Sequence, residues 1–126
     1  MIPECFVFGS NESGLHGAGA ARYALEHRCA IWGRGVGFQG TSYAIPTKDH
    51  NVETLPLVAV ESYVKGFLHF AELHPETTFL VTQIGCGLAG FTAEQIAPLF
   101  SLAPRNCKFS TAWSKWLPHH ETWTDK

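Results

Sequence analysis

The amino-acid sequence predicts an α/β fold in which a small, mostly parallel sheet lies between two layers of helices. Short apolar runs that suit buried strands alternate along the chain with amphipathic helical segments. In addition, two of these runs, 4–8 and 78–81, each lead through a glycine-rich loop into a helix. Such alternation is typical of a parallel sheet covered by helices on both faces. The 126 residues suffice for one hydrophobic core, so we expect a single domain over residues 1–126.

Composition excludes several classes of protein. Hydrophobic residues make up 45% of the chain and charged residues 16%, which is typical of a folded globular domain. The formal net charge of −2 gives no support for direct nucleic-acid binding, which usually requires a basic surface. No apolar run approaches the ~20 residues that span a bilayer, and residues 1–4 lack the features of a signal peptide. We therefore expect a cytoplasmic protein without membrane contact.

The first strand, loop and helix form a unit suited to binding an anion. Residues 4–8 are apolar enough for a buried strand, and an alanine-rich helix is expected over 18–28. The loop between them, 9–17, contains Gly9, Gly14 and Gly17. Glycine lets the backbone approach a phosphate closely, and the free N–H groups at a helix start attract negative charge. For this loop alone, a tight turn without a ligand remains an alternative.

The middle of the chain supplies a strand and the longest helix. Residues 30–42 contain four glycines, so we expect a mobile connection, with 30–32 as a candidate short strand. Residues 43–47 are expected to form the next strand, which ends near Pro46. Apolar residues recur at helical spacing over 55–73, and the Pro after His74 ends this helix.

A second unit of strand, glycine loop and helix follows. The strand is expected at 78–81, and the loop over 83–91 contains Gly85, Gly87 and Gly90. Because parallel strands end at the same edge of a sheet, the two glycine loops should border one crevice. Such a crevice would suit a ligand with two phosphates, or with a phosphate and a sugar.

The last part of the chain is expected to add one helix and one strand. Thr92 and Gln95 have the spacing of a capping box, which indicates a helix start, and the helix should cover 93–102. A last short strand is predicted at 107–109. The tail contains Trp113, Trp116 and Trp123, which would pack against the sheet or form the interface of a homo-oligomer.

Cysteine and histidine patterns argue against a metal site. The four cysteines are widely spaced without a Cys-x-x-Cys pair, so neither a zinc site nor a disulfide scaffold is expected. The adjacent His119 and His120 are not a ligand set. Cys86 lies inside the second glycine loop, where a helix start could activate it as a nucleophile, although no histidine lies near it in sequence. We expect no metal and no cofactor.

Three stretches together resemble a known family. They are Gly-Ser-Asn with Gly-x-His-Gly-Ala-Gly-Ala-Ala, then Ser-Tyr-Ala-Ile-Pro-Thr-Lys-Asp, then Ile-Gly-Cys-Gly-Leu-Ala-Gly-Phe. These stretches resemble macro-like proteins found largely in phage and bacterial genomes, and more distantly the macrodomains that bind ADP-ribose. The resemblance implies a macrodomain-like α/β/α sandwich. It also implies that the chain binds ADP-ribose or a related NAD-derived diphosphate nucleotide between the two loops. Hydrolysis of ADP-ribosyl linkages is a further implied activity, with ADP-ribosylated protein or nucleic acid as substrate.

The candidate site residues follow from the loops and from this resemblance. The catalytic candidates are Asn11, His16 and Asp49. For each of them a structural role in a turn, a cap or the core is the alternative. The candidate ligand-binding residues are Gly9, Ser10, Asn11, Gly14, His16, Gly17, Ala18, Gly19, Gly85, Cys86, Gly87, Leu88, Ala89, Gly90 and Phe91. Two other functions stay open: sequestration of a nucleotide signal without turnover, and an interaction protein that ignores nucleotides.

Overall fold

Six strands and three α-helices make up the computed structural model, which describes residues 2–125. The strands are β1 (Glu4–Asn11), β2 (Gly37–Gln39), β3 (Ser42–Lys48), β4 (Thr78–Val81), β5 (Cys107–Ser110) and β6 (Thr122–Trp123). The helices are α1 (Gly19–His27), α2 (Leu57–Leu73) and α3 (Ala93–Ile96), with 3-10 turns at Ala97–Phe100 and Thr111–Trp113.

All six strands belong to one sheet in the order β2-β3-β1-β4-β5-β6. The central strand β1 pairs in parallel with β3 and β4, and β5 and β6 continue the parallel part. Only β2 runs antiparallel, beside β3 at the edge. The prediction of a small, mostly parallel sheet is confirmed.

Helices cover both faces of this sheet. Alternate residues of β1 point to opposite faces: Cys5 and Val7 belong to one buried cluster and Phe6 and Phe8 to the other. The α1 helix packs on the second cluster through small residues. On the first face, α2 contributes side chains at three- and four-residue spacing, namely Val60, Val64, Phe67 and Ala71. The chain is therefore a three-layer α/β/α sandwich, as expected.

The glycine-rich connection differs from the prediction. Residues 30–32 are not a strand; instead β2 forms at 37–39 and makes a hairpin with β3. The hairpin turn contains Gly40, whose φ is +58°. A Cβ at this position would lie 2.2 Å from the carbonyl oxygen of Cys29, so only glycine fits there.

The third helix is shorter than predicted. The capping box of Thr92 and Gln95 is present and starts the helix as expected. The α-helical part ends at Ile96 and continues only as a 3-10 turn, Ala97–Phe100. The cause is Pro98, which has no N–H to donate to the carbonyl four residues earlier.

The Trp-rich tail packs against its own sheet. Trp113 is fully buried, with ring centroids 5.7 Å from Phe100 and 6.4 Å from Phe109. Trp123 lies in β6, a strand that the sequence did not predict. In the part of the chain from 2 to 125, no helix has the length and apolar character needed to cross a membrane.

Candidate functional site

A crevice of about 900 Å³ lies at the carboxyl edge of the sheet. Because β3, β1 and β4 are parallel neighbours, the loops that follow them all leave the sheet at this edge. Both glycine loops line the crevice, together with the end of β3, the α1 helix and residues 123–125. The two loops thus lie side by side, as the sequence predicts.

The first loop owes its shape to side chains that bond its own backbone and the backbone of the connection before β2. The Asn11 Oδ1 accepts a hydrogen bond from the Leu15 N–H at 2.9 Å, and its Nδ2 donates to the Leu15 carbonyl at 3.0 Å. The Ser10 hydroxyl donates to the carbonyl of Gly35 at 2.5 Å. Asn11 therefore has the turn-forming role considered above. Each polar atom of its amide keeps the capacity for one more bond, and the residue lines the crevice.

The start of α1 presents unused hydrogen-bond donors. Its N-cap residue, Ala18, offers no side-chain acceptor. The backbone N–H groups of Gly19, Ala20 and Ala21 have no acceptor among residues 2–125, and all three residues line the crevice. A Cβ on Gly17 or Gly19 would meet no atom of residues 2–125 within 4 Å. The N-terminus of α1 is therefore open and carries the positive end of the helix dipole, and its residues line the crevice.

The second loop is built from tight turns. The N–H of Cys86 donates to Gln83, that of Gly90 to Gly87, and that of Phe91 to Gly85. The amides of residues 87–89 find no acceptor in the described part of the chain, and these residues line the crevice. Gly87 has open space where a side chain would stand. The start of α1, which follows the first loop, and the second loop thus both line one volume with residues whose N–H groups are free.

An aromatic pocket forms one end of the crevice. The ring of Phe6 lies 5.2 Å from that of Tyr23 and 6.2 Å from that of Trp123. The guanidinium of Arg28 sits 5.5 Å from the Phe6 centroid. The indole N–H of Trp123 donates to the carbonyl of Val81 at 3.0 Å, which fixes the ring against β4. This arrangement suits the flat face of an aromatic ligand.

Charged side chains of the crevice differ in how they are paired. Arg28 forms an ion pair with Glu4 at 3.1 Å. The carboxylate of Asp125 accepts hydrogen bonds from Ser110 at 2.5 Å and from Gln83 at 3.4 Å. Lys48, at the opposite end beside Asn11, has no ion pair within residues 2–125.

His16 does not line the crevice, contrary to the prediction of a ligand-binding and catalytic role. Its side chain is fully buried against Phe8, with ring centroids 5.3 Å apart. Its Nε2 lies 3.0 Å from the carbonyl oxygen of Arg34 and 3.3 Å from the amide oxygen of Gln39. Because both neighbours are acceptors, Nε2 carries the proton. His16 therefore stabilises the core beneath the loop.

Asp49 is also turned away from the crevice, where a catalytic role was expected. Its carboxylate accepts hydrogen bonds from the N–H groups of Asn51, at 2.8 Å, and Glu53, at 3.0 Å. This is the turn-forming alternative.

Three further residues of the predicted ligand-binding set lie outside the crevice wall. A Cβ on Gly14 would lie 2.4 Å from the backbone N of Arg34, so this glycine allows two chain segments to meet. Gly90 closes the turn of the second loop, and Phe91 packs beneath Gly85 and against the core. The remaining predicted residues line the crevice: Gly9, Ser10, Asn11, Gly17, Ala18, Gly19, Gly85, Cys86, Gly87, Leu88 and Ala89.

Cys86 lacks the properties of a nucleophile. Burial raises the pKa of its thiol, so the thiolate is disfavoured. The thiol points to the carbonyl of Ile84 at 3.6 Å. Within residues 2–125, no group of three or more His, Cys, Asp or Glu side chains is placed to hold a metal ion.

Sequence reasoning missed the aromatic end of the crevice and its far end at Val52. In the sequence, Phe6 has the pattern of an ordinary core residue and Tyr23 that of an ordinary helix residue. Trp123 belongs to a strand that was not predicted. The one available signal was the Trp-rich composition of the tail.

Comparisons with known proteins concern the fold. No family model and no curated protein sequence matches the chain. The chain is similar to the solved structure of a protein of unknown function from Bacteroides thetaiotaomicron. The TM-score is 0.51 at 17% identity, over 79% of this chain and 78% of that one. A macrodomain protein from Streptomyces coelicolor aligns with a TM-score of 0.48 at 17% identity, over 86% of this chain and 88% of that one. At this identity, the likeness to the Bacteroides protein is one of α/β architecture.

Proposed function

We propose that this protein binds ADP-ribose or a related NAD-derived diphosphate nucleotide in the crevice between the two glycine loops. The observation that carries the proposal is the set of unpartnered backbone N–H groups in residues that line one volume: Gly19–Ala21 at the start of α1, after the first loop, and Gly87–Ala89 in the second loop. Backbone donors and a helix start together favour phosphate oxygens. Two of the three stretches that resemble macro-like proteins are these same two loops.

The order of strands suggests how the ligand lies. From β3 through β1 and β4 to β6, the edge presents Lys48 and Asn11, then the two glycine loops, then Trp123. In the proposed complex the base stacks in the aromatic pocket beside Tyr23 and Trp123. The diphosphate spans the glycine loops, and the distal sugar reaches Asn11 and Lys48.

The crevice supports binding better than hydrolysis. Of the three catalytic candidates, Asn11 alone lines the crevice, while His16 is buried and Asp49 shapes a turn. An amide can orient a sugar or a water, but it is not a general base at neutral pH. We therefore favour a protein that holds or sequesters its nucleotide. On incubation with ADP-ribosylated protein it should release no ADP-ribose.

Titration calorimetry with ADP-ribose, ADP and AMP tests the proposal. We expect ADP and ADP-ribose to bind more tightly than AMP, because AMP has a single phosphate for the two loops. Absence of heat with all three nucleotides at millimolar concentration would contradict the proposed function and favour an interaction protein.

Gly87→Val should abolish binding while the fold survives. The added side chain enters the space assigned to the diphosphate, and its Cβ meets no atom of the described residues, 2–125, within 4 Å. Gly66→Val is the matched control, since Gly66 is exposed on α2 and also has free space around its Cβ. Circular dichroism should show both variants folded. Wild-type affinity in a folded Gly87→Val protein would exclude the phosphate site.

A further inference from the structure

Val52 has a backbone conformation that valine rarely adopts. Its φ is +62°, and Cys29 is the other non-glycine residue with positive φ between residues 2 and 125. A branched Cβ clashes with the backbone in this left-handed region, so the conformation is strained. Such strain persists where surrounding contacts impose it, and it concentrates at functional sites.

The loop that carries Val52 is held rigidly from within. The Asp49 carboxylate binds the N–H groups of Asn51 and Glu53, and the Asp49 N–H donates to the Glu53 carbonyl at 2.7 Å. The N–H of Val52 donates to the Asp49 carbonyl at 3.1 Å. These bonds fix Val52 at the tip of the turn.

The same loop is attached to both glycine loops. On one side, the Ser13 hydroxyl of the first glycine loop donates to the carbonyl of His50 at 2.7 Å. On the other side, the Thr54 hydroxyl donates to the carbonyl of Ala89 in the second glycine loop at 2.9 Å. The loop that carries Val52 is thus hydrogen-bonded to both glycine loops of the proposed phosphate site.

Three exposed aliphatic side chains surround this end of the crevice. Leu15, Val52 and Leu88 are 42%, 41% and 74% exposed, come from three different loops, and all line the crevice. Asn11 and Lys48 line the same end. A sugar has an apolar C–H face and polar hydroxyls, so it would match an aliphatic wall opposite an amide and an ammonium group.

On the basis of the function proposed above, we propose that Val52 is a specificity-determining contact for the distal sugar of the ligand. The loop 49–54 keeps Val52 in its strained conformation so that the side chain covers the sugar. The contact selects diphosphate nucleotides with a second sugar over those that end at the diphosphate.

Binding of ADP-ribose and ADP to Val52→Gly tests this assignment. Loss of the valine contact, which the sugar would bury in the complex, should weaken ADP-ribose binding about five- to tenfold. ADP lacks the distal sugar, so its affinity should not change. Because glycine tolerates positive φ, the melting temperature should not fall even though a side chain has been removed.

Cys29→Gly is the matched control. Cys29 has a φ of +59° and is exposed after the end of α1, outside the crevice. It should keep or raise the melting temperature and leave both affinities unchanged. If Val52→Gly does not fold, Val52→Ala, which removes two methyl groups, should still weaken ADP-ribose binding selectively.

Three outcomes would overturn the assignment, and they are distinguishable. A folded Val52→Gly that binds ADP-ribose like the wild type excludes the contact. Equal losses for ADP-ribose and ADP mean that the whole site has loosened, which excludes a role in selecting the sugar. If the wild type binds neither nucleotide, the proposed function fails and the assignment fails with it.

Discussion

Asn11 and His16 are five residues apart in sequence, yet they point to different environments. The Asn11 amide binds the backbone of Leu15 and lines the crevice, whereas His16 is enclosed by Phe8 and Gln39. The tight turns of this loop can be predicted from its glycines, because turn geometry depends on the local backbone. The direction of His16 could not be predicted, because it depends on β2, a strand that forms only through pairing with β3.

His16→Ala should destabilise the fold rather than remove a ligand contact. The substitution leaves a cavity beneath the first loop and takes a hydrogen-bond donor from Arg34 and Gln39. We expect the free energy of unfolding to fall by about 2 kcal/mol or more. Urea unfolding measures this loss. A variant that keeps the wild-type stability but loses nucleotide affinity would contradict this account and indicate that His16 contributes to binding.

Gly19 shows that the φ angle of a glycine must be known before a substitution there is used to test ligand binding. The residue lines the crevice and has open space around its Cβ, but its φ is +57°. A valine there would strain the start of α1 as well as block a ligand. Gly87 has no such angle, so a substitution there reports on the ligand alone.

At the scale of elements, agreement with the sequence follows the length and regularity of each pattern. The α2 helix and β4 were predicted nearly to the residue, because apolar spacing and a following Pro define α2 and apolar residues mark β4. β1 extends to Asn11, three residues beyond the prediction, since Gly9 and Ser10 still pair with β3. Glycine therefore did not end the strand.

Short edge elements could not be predicted for a physical reason. The strand β2 has three residues and β6 has two, too few for any periodic pattern. Each exists because a neighbouring strand offers unpaired backbone groups. The aromatic end of the crevice depends on Trp123 in β6, so this part of the candidate site could not be predicted either.

At the scale of the whole molecule, two buried thiols should make the free energy of unfolding decrease at alkaline pH. Cys5 and Cys107 are 0% and 1% exposed in one core cluster. Burial raises the pKa of each from 9.0 to about 12. The unfolded chain loses these protons above pH 9 while the folded chain keeps them, so stability falls as pH rises from 9 to 12. Tyr43, whose pKa burial also raises, acts in the same direction.

Urea unfolding at pH 8, 9 and 10, followed by tryptophan fluorescence, should show this loss. One pKa unit corresponds to about 1.4 kcal/mol, so each thiol should contribute a slope approaching that value per pH unit above 9. Cys107→Ala removes one thiol and should make the decline shallower, despite its lower stability at every pH. A wild-type stability that is constant from pH 8 to 10 would contradict this account.

The unpartnered amides at the two glycine loops also have a kinetic consequence. A peptide hydrogen without an acceptor exchanges with solvent deuterium far faster than one in a sheet ladder. Gly19–Ala21 and Gly87–Ala89 should therefore label within seconds, while the amides of β1 at the centre of the sheet label last. When ADP-ribose is added, these two short segments should slow together, and no slowing there would place the ligand elsewhere. The deuterium uptake of each segment thus reports separately whether a phosphate is bound beside it.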